Sequence, residues 1–384
     1  MKAIYLDYNA TTPLDPLVVE AMEPFLREHF GNPSSTHVYG RAAHEAVARA
    51  RSQVATLIGA EAAEIVFTSG GTEATNHALK GLVLPSLARS ARGPAPHVVT
   101  STVEHPATAE TCAFLERLGA QVTRVPVDRH GVVELEALEQ ALRRPALVVS
   151  IMHANNEVGT LEPIATIARI AHAHGALVHT DAAQSAGKIA LDVDALGVDL
   201  LSLAGHKLYA PKGVGALYVR AGVALESLIH GAGHEGGRRA GTENVPYVVA
   251  LGAASQLAQR ALPGASEALR RLRDRLWDGL RQSLGDDIVL NGHPVHRLPS
   301  TLNVNFVGHV GADLLAAVPE IAASTGSACH EGRVELSPVL RAMRVPEEIG
   351  RGAVRLSVGR FTTDDEVDRA AEMLTAAARS HTRI

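Results

Sequence analysis

The feature that most limits how this chain can fold is a repeated pairing of short apolar runs with amphipathic stretches. The runs "EIVFTSGG", "HVVTSTVEH", "ALVVSIMHANNE", "ALVHTDAAQ", "DLLSLAGHK" and "GALYVR" end in polar or small residues, and segments such as "ATAETCAFLERLG" and "PIATIARIAHAHG" separate them. Apolar runs of strand length alternating with helical periodicity specify an α/β architecture, a mainly parallel central sheet with helices on both faces. Open sheets of this kind bind ligands at the carboxyl ends of their strands. Here those ends carry Ser69, Gly70 and Gly71; Glu104 and His105; Asn155, Asn156 and Glu157; Asp181; and His206 with Lys207.

After about residue 258 the texture changes. "ASEALRRLRDRLWDGLRQSLG" reads as an amphipathic helix with Trp277 on its apolar stripe, and "TLNVNFVG", "EIAASTG" and "AVRLSVGRF" read as strands of a second sheet. A chain of 384 residues is long for one core. We therefore expect a large domain over 16–258 and a smaller C-terminal α+β domain made of 1–15 with 259–384. Pro263 and Gly264 mark either that boundary or a kink. The net charge of −5, with Lys and Arg scattered, argues against nucleic acid or a membrane as partner. No stretch has the length of a membrane span and the first residues lack the apolar core of a secretory signal, so a cytoplasmic protein acting on a small molecule is expected. Two cysteines, Cys112 and Cys329, are too few for a disulfide framework or a thiolate metal site.

Several stretches carry residues suited to chemistry. In "TSGGTEATNHALKG" a strand passes through Gly70 and Gly71 into a helix at Thr72, so backbone N–H groups converge where the helix dipole is positive. A phosphate suits that place, and an ordinary turn capped by Thr72 is an equally good reading of the segment alone. In "LLSLAGHKLYAPKGVGALYV" Lys207 follows a buried strand, where desolvation lowers an amine's pKa and readies it for Schiff-base formation. Most lysines are solvated surface residues, and context argues against that here. Asp181 ends the strand "ALVHTD", where a carboxylate facing a heterocyclic nitrogen keeps it protonated. A Schiff-base lysine, a carboxylate for a pyridinium and a phosphate cradle together match the needs of pyridoxal phosphate.

His105, ahead of Pro106, suits a ring held over a flat cofactor and counts because it shares that edge. The histidines of "HAH" at 172–174 and "HPVH" at 293–296 read as surface residues, and no metal site is expected there. Cys112 reads as packing. Cys329, in "AASTGSACHEGRVE", has Ser327, Ala328 and Gly332 around it: either an accident of a surface loop or a thiol that must be reached and must move.

In their order, "YLDYNATTPLDP", "FTSGGTEATN", "VEHPA", "SIMHANNEVGT", "HTDAAQSAGK", "GHKLYAPKGVGALYVR", "GHEGGRRAGTEN", "STGSACHEG" and "VRLSVGRFTT" resemble the cysteine desulfurases of the NifS and IscS type. These are fold type I pyridoxal phosphate enzymes related to the class V aminotransferases, and the similarity runs from about residue 3 to about 375. The resemblance implies that Lys207 forms the Schiff base with the cofactor and that Asp181 partners its pyridine nitrogen. Gln184 would bond the phenolic oxygen, His105 would stack on the ring, and Gly71, Thr72 and His206 would hold the phosphate. Thr242, in "AGTEN", would reach the phosphate of the other subunit's cofactor in a homodimer. Asn155 and Arg355 would bind the substrate's α-carboxylate, Asn155 touching the cofactor as well, and a guanidinium fork suits a carboxylate on independent grounds.

Lys207, His105 and Cys329 are then the expected catalytic residues. The implied activity converts L-cysteine to L-alanine with a persulfide on Cys329. The sulfur passes to an acceptor protein for iron–sulfur cluster, thio-cofactor or tRNA synthesis. Small residues and glycines around Cys329 suit a loop that visits the cofactor and then the acceptor. Two positions depart from the pattern: Ala204 stands where many members have Ser, and Leu336 where Pro is usual. The alternatives are a selenocysteine lyase on the same scaffold, an aminotransferase for which Cys329 is incidental, and an idle sulfur-transfer scaffold. A complete loop carrying Cys329 favours the desulfurase, and intact Lys207 and Asp181 argue against an idle fold.

Overall fold

All six apolar runs become strands of a single seven-stranded sheet. The computed structural model describes residues 3–89, 94–325, 327–330 and 333–380, with the backbone alone for 327–330 and 333–335. Ahead of the sheet come β1 (Ile4–Tyr5), α1 (Pro16–Arg27) and α2 (Val38–Ile58). Strands β2 (Ile65–Thr68), β3 (His97–Ser101), β4 (Gln121–Val125), β5 (Val148–Ser150), β6 (Leu177–Asp181) and β7 (Leu200–Ala204) follow. They are connected by α3 (Gly71–Arg89), α4 (Pro106–Arg117), α5 (Leu135–Leu142), α6 (Ile164–Ala173) and α7 (Val193–Leu196). After β8 (Gly215–Val219) the long helix α8 (Val245–Leu284) begins.

The order across the sheet is β2-β8-β7-β6-β5-β3-β4, parallel throughout except at the two ladders that β8 makes. Residues 205–214 alone join β7 to β8, which is too short for the crossover a parallel strand needs, so β8 returns antiparallel. Every other strand therefore points its carboxyl end to the same edge.

Side chains divide by the two-residue period of a strand. Ile65, Phe67, Val99, Val149, Leu201 and Leu203 join the core under α2, α6 and the first half of α8. Val66, Val98, Val148, Leu200 and Leu217 join the core under α3 and α4. Burial on both faces explains why these strands read as unbroken apolar runs, whereas edge strand β4 keeps exposed residues. The face under α3 contains a polar line: Ser150 Oγ meets His179 Nδ1 at 2.8 Å, His179 Nε2 meets Ser202 Oγ at 2.9 Å, and Thr75 Oγ1 donates to Ser202 Oγ at 3.2 Å.

The second unit is antiparallel. Its sheet has the order β12 (Ser324–Thr325), β15 (Ala353–Ser357), β10 (Thr301–Phe306), β9 (Ile288–Asn291). Around it lie α9 (Gly311–Ala317), α10 (Pro338–Ala342), α11 (Glu347–Gly350) and α12 (Asp364–Ser380), and β1 pairs with β11 (Ile321–Ala322). Strands β13 (Ser327–His330) and β14 (Arg333–Leu336) form a ladder with Cys329 opposite Val334. One apolar core gathers Ile4 and Leu6 with Leu276, Phe306, Val354 and Leu374, while Leu336, Val339, Leu340 and Met343 pack on the larger core. Helix α8 serves both: its residues up to Ala258 lie in the larger core and those from Leu269 in the smaller. The boundary expected near 258 thus falls inside one unbroken helix that also contains Pro263. Among the described residues no helix is long and apolar enough to cross a membrane.

Burial pushes His179 down to about 3 and His153 to about 4 from the ordinary histidine value. The unfolded chain therefore takes up protons below about pH 6.5 that the folded chain refuses, so these rings reduce stability as pH falls through that range. Buried Glu104 and Glu162, each raised to about 8, act with the opposite sign, so the informative quantity is a difference between variants. We expect His179→Gln to remove about 1.4 kcal/mol per pH unit of acid sensitivity, read from urea unfolding at about pH 7 and about pH 5. Equal slopes for the two proteins would mean that the buried ring is not held neutral.

Candidate active site

A cavity of about 370 Å³ opens at the carboxyl ends of the sheet, between the two units, a volume typical of small-molecule sites. Its walls bring together Gly71, Thr72, His105, Asp181, Gln184, Ala204, His206, Lys207 and Arg355 with Asn9, Ala10, Met152, Ala154 and Asn156. The local geometry explains each position. Helix α3 starts at Gly71, so its free N–H groups face this edge. A Cβ on Gly215, the first residue of β8, would lie 2.5 Å from Leu203 O and 2.7 Å from Gly70 Cα, so glycine there lets the loop before α3 lie close against the sheet.

Lys207 sits on the 3-10 turn Gly205–Lys207 that follows β7. Its Nζ donates to the carbonyl of Asn9 and, at 2.7 Å, to that of Ala10. Burial, and then the nearby Arg355 guanidinium, push its ammonium down to about 8, so much of it is neutral amine in mildly alkaline solution. Asp181 ends β6 and is 9% exposed; its Oδ1 accepts from the Ala183 N–H at 2.9 Å. Burial pushes its carboxyl up, and no cation among the described residues pairs with it within 4 Å. His105 is the N-cap of α4, its Nδ1 accepting from the Ala107 N–H at 3.1 Å. Burial lowers its pKa, so the ring is neutral with the proton on Nε2.

Gln184 donates from Nε2 to Asn9 O at 3.0 Å and accepts at Oε1 from Lys188 Nζ at 3.1 Å. His206 contacts Thr11 Oγ1 at 3.3 Å, and burial, followed by Lys207 and Lys212, brings it down to about 4. Arg355, on β15, donates to Asp7 Oδ1 at 2.9 Å, Ser324 Oγ at 3.0 Å and Asn156 O at 3.0 Å, while its buried Nε has no partner among the described residues.

Three expected residues stand apart from this wall. Asn155 is buried behind it: its Nδ2 donates to Val103 O at 3.0 Å and its Oδ1 accepts from the N–H groups of Glu157 and Val158, both at 2.9 Å, so its neighbour Asn156 lines the cavity instead. Thr242 is exposed in a separate hollow with Ser69, Arg239, Glu243 and Asn244. Cys329 has its backbone in β13, and its side chain lies outside the described residues. The other cysteine, Cys112, is fully buried beside Leu115, and burial raises its thiol to about 12. Among the described residues no group of His, Cys, Asp and Glu is arranged to hold a metal ion. His293 packs its ring against those of His130 and His296.

The residues present fit pyridoxal phosphate. Asp181 is a buried carboxylate in want of a positive partner, Lys207 a partly neutral amine in the same cavity, and the α3 N-terminus a seat for an anion. The carbonyls of Asn9 and Ala10, with Met152 and Lys188, were not among the residues expected here. The motif "DYNATTP" is visible in the sequence, but a residue's type says nothing about the use of its backbone carbonyl.

The aminotransferase class-V family matches residues 4–370. A protein named cysteine desulfurase IscS from Dictyoglomus turgidum is 45% identical over 375 residues, 97% of this chain and 94% of that one. Among solved structures, a NifS-like protein aligns with a TM-score of 0.89 and 38% identity over 97% of this chain and 98% of its own. A structure of SspA in complex with cysteine aligns with a TM-score of 0.81 and 36% identity over 94% and 99%. The match runs through both units and across the cavity they share, and this chain belongs to the class-V aminotransferase family.

Proposed function

We propose that the protein is a pyridoxal phosphate-dependent cysteine desulfurase, which takes sulfur from L-cysteine, releases L-alanine and carries the sulfur as a persulfide on Cys329. The observation that carries this reading is Lys207, a half-buried amine lowered to about 8, sharing one cavity with Arg355 and with buried Asp181, which has no cationic partner within 4 Å among the described residues. Relatives named cysteine desulfurase and the cysteine-bound SspA structure support the substrate.

When bound, pyridoxal phosphate supplies an aldehyde for amines and a ring that draws electrons from the reacting carbon. In this reading the α3 N-terminus at Gly71 and Thr72, with His206, holds the phosphate. Ala204 Cβ lies beside that cradle, 3.2 Å from a Cβ built on Gly71, so position 204 adds no hydrogen bond of its own. Asp181 keeps the ring nitrogen protonated, and His105, fixed by the Ala107 N–H, covers the ring with a neutral imidazole. Gln184 donates to the phenolic oxygen. Lys207 would move the substrate's proton at Nζ, as an amine whose pKa is lowered to about 8 can. Arg355 takes the α-carboxylate, its guanidinium already held by Asp7, Ser324 and the Asn156 carbonyl.

Cys329 supplies a thiolate to the substrate sulfur. The carbon–sulfur bond breaks with its electron pair left on carbon, which ends protonated as alanine, while a sulfur–sulfur bond forms on the enzyme. The sum is cysteine plus enzyme thiol giving alanine plus enzyme persulfide. The reading also carries a cytoplasmic homodimer in which exposed Thr242 serves the other subunit's site, and an acceptor protein for the sulfur.

Cys329→Ala should keep the cofactor and lose alanine release from L-cysteine; L-selenocysteine assayed in parallel separates a lyase, whose turnover would survive the substitution. Asp181→Asn should lower turnover by about 10²–10⁴ with cofactor retained, which single-turnover kinetics would check. Cofactor capture needs a neutral amine. Its rate should rise with pH and level off above about 8, the value of Lys207, and a flat profile in stopped-flow absorbance would contradict that.

A further inference from the structure

Lys188 is a buried lysine beside this cavity, 6% exposed, on the turn that follows β6. Its Nζ donates to Gln184 Oε1 at 3.1 Å, and no carboxylate among the described residues pairs with it within 4 Å. Burial, and then the charges of Lys207 and Arg355, bring its ammonium down to about 7. A well-packed apolar side chain would fill such a place with no desolvation penalty. What an ammonium supplies there, and a guanidinium would supply equally, is a group that donates hydrogen bonds and accepts none.

That property acts on one neighbour. An amide can turn over and exchange its oxygen and nitrogen, and the two ends are told apart by their partners. Facing Lys188, the Gln184 amide must present oxygen; facing the carbonyl of Asn9, 3.0 Å away, it must present nitrogen. Asn9 O is shared with Lys207 Nζ, so its hold on Gln184 changes whenever Lys207 loses a proton or is engaged elsewhere. Lys188 shares no acceptor with Lys207, and the charge of Lys207 reaches it only by lowering its pKa. One N–H of Gln184 is used on Asn9, and the other remains for the cavity that Gln184 lines.

We propose that Lys188 is a positioning residue for the cofactor: its donation to Gln184 Oε1 keeps the Gln184 NH₂ turned toward the phenolic oxygen of pyridoxal phosphate throughout turnover. This rests on the pyridoxal phosphate reading of the cavity. The test follows the visible absorbance of the bound cofactor against pH, and its release into buffer, in the full-length protein. Lys188→Met should displace the pH midpoint of the absorbance change and weaken cofactor retention about tenfold, the loss of roughly one hydrogen bond to a charged group. Lys188→Arg, still a donor only, should restore most of both.

On a Gln184→Ala background Lys188→Met should change neither quantity further, since the lysine would have nothing left to orient. If Lys188→Met is not recovered folded, Lys188→Gln replaces it under the same criteria. A variant at Lys188 indistinguishable from wild type, or one whose shift is the same with and without Gln184, overturns the proposal alone. A wild-type protein that takes up no cofactor and develops no visible absorbance overturns the proposal and the reading beneath it together.

Discussion

Two backbone carbonyls near the start of the chain, those of Asn9 and Ala10, hold the ammonium of Lys207, and the arrangement of the cavity depends on that contact. Residues Ile4 and Leu6 are rooted in the smaller core, whereas Lys207 hangs from the central sheet. The contact therefore fastens one unit across the mouth of the other. It is reinforced along the same segment: the Thr12 N–H and hydroxyl both donate to His206 O, Tyr209 donates its N–H to Thr12 Oγ1, and the Asp15 N–H reaches Tyr209 O. Arg360 closes the far side by bonding Asp15 Oδ2 at 2.5 Å. The amine that faces the cavity is thus fixed by a segment that also bonds the large unit at Asn156 and Gln184 through Asn9.

The charges in the cavity are unevenly matched. Arg355 has Asp7 as a counter-ion, while among the described residues Asp181 has none within pairing distance and Lys188 Nζ meets an amide and no carboxylate. Isolated charges in a buried site are expensive unless they shift toward neutrality, and the displaced pKa values of Asp181, Lys188 and Lys207 are that shift. Glu235 is a buried charge of the opposite kind: it takes a two-pronged contact from Arg51 at 2.6 Å and a further bond from the Phe67 N–H at 2.8 Å.

The fold was largely legible because strands buried on both faces must be apolar, and their polar terminators mark the edge where ligands bind. Lys207, Asp181, His105 and the turn before α3 could be found by that rule. Other parts could not. Asn155 and Asn156 are adjacent in a turn, where no periodicity tells which one faces inward, and hydrogen bonding to Val103, Glu157 and Val158 turned Asn155 into the wall. Lys188 looks like any surface lysine until the turn after β6 buries it. Along α8 the core changes between Ala258 and Leu269, yet the helix runs on through the exposed Pro263 without stopping.

Helix α8 has a further consequence for how such a chain can vary. Its 40 residues span about 60 Å, and it presents one stripe to the larger core and another to the smaller. Adding or removing a single residue between Ala258 and Leu269 would rotate everything beyond by about 100°, carrying Leu272, Leu276 and Leu280 away from the core they fill. The helix therefore works as a ruler that forbids length changes in its middle. Insertions and deletions in descendants of this sequence are confined to the connecting loops, and drift within α8 is restricted to substitutions that keep both stripes in phase.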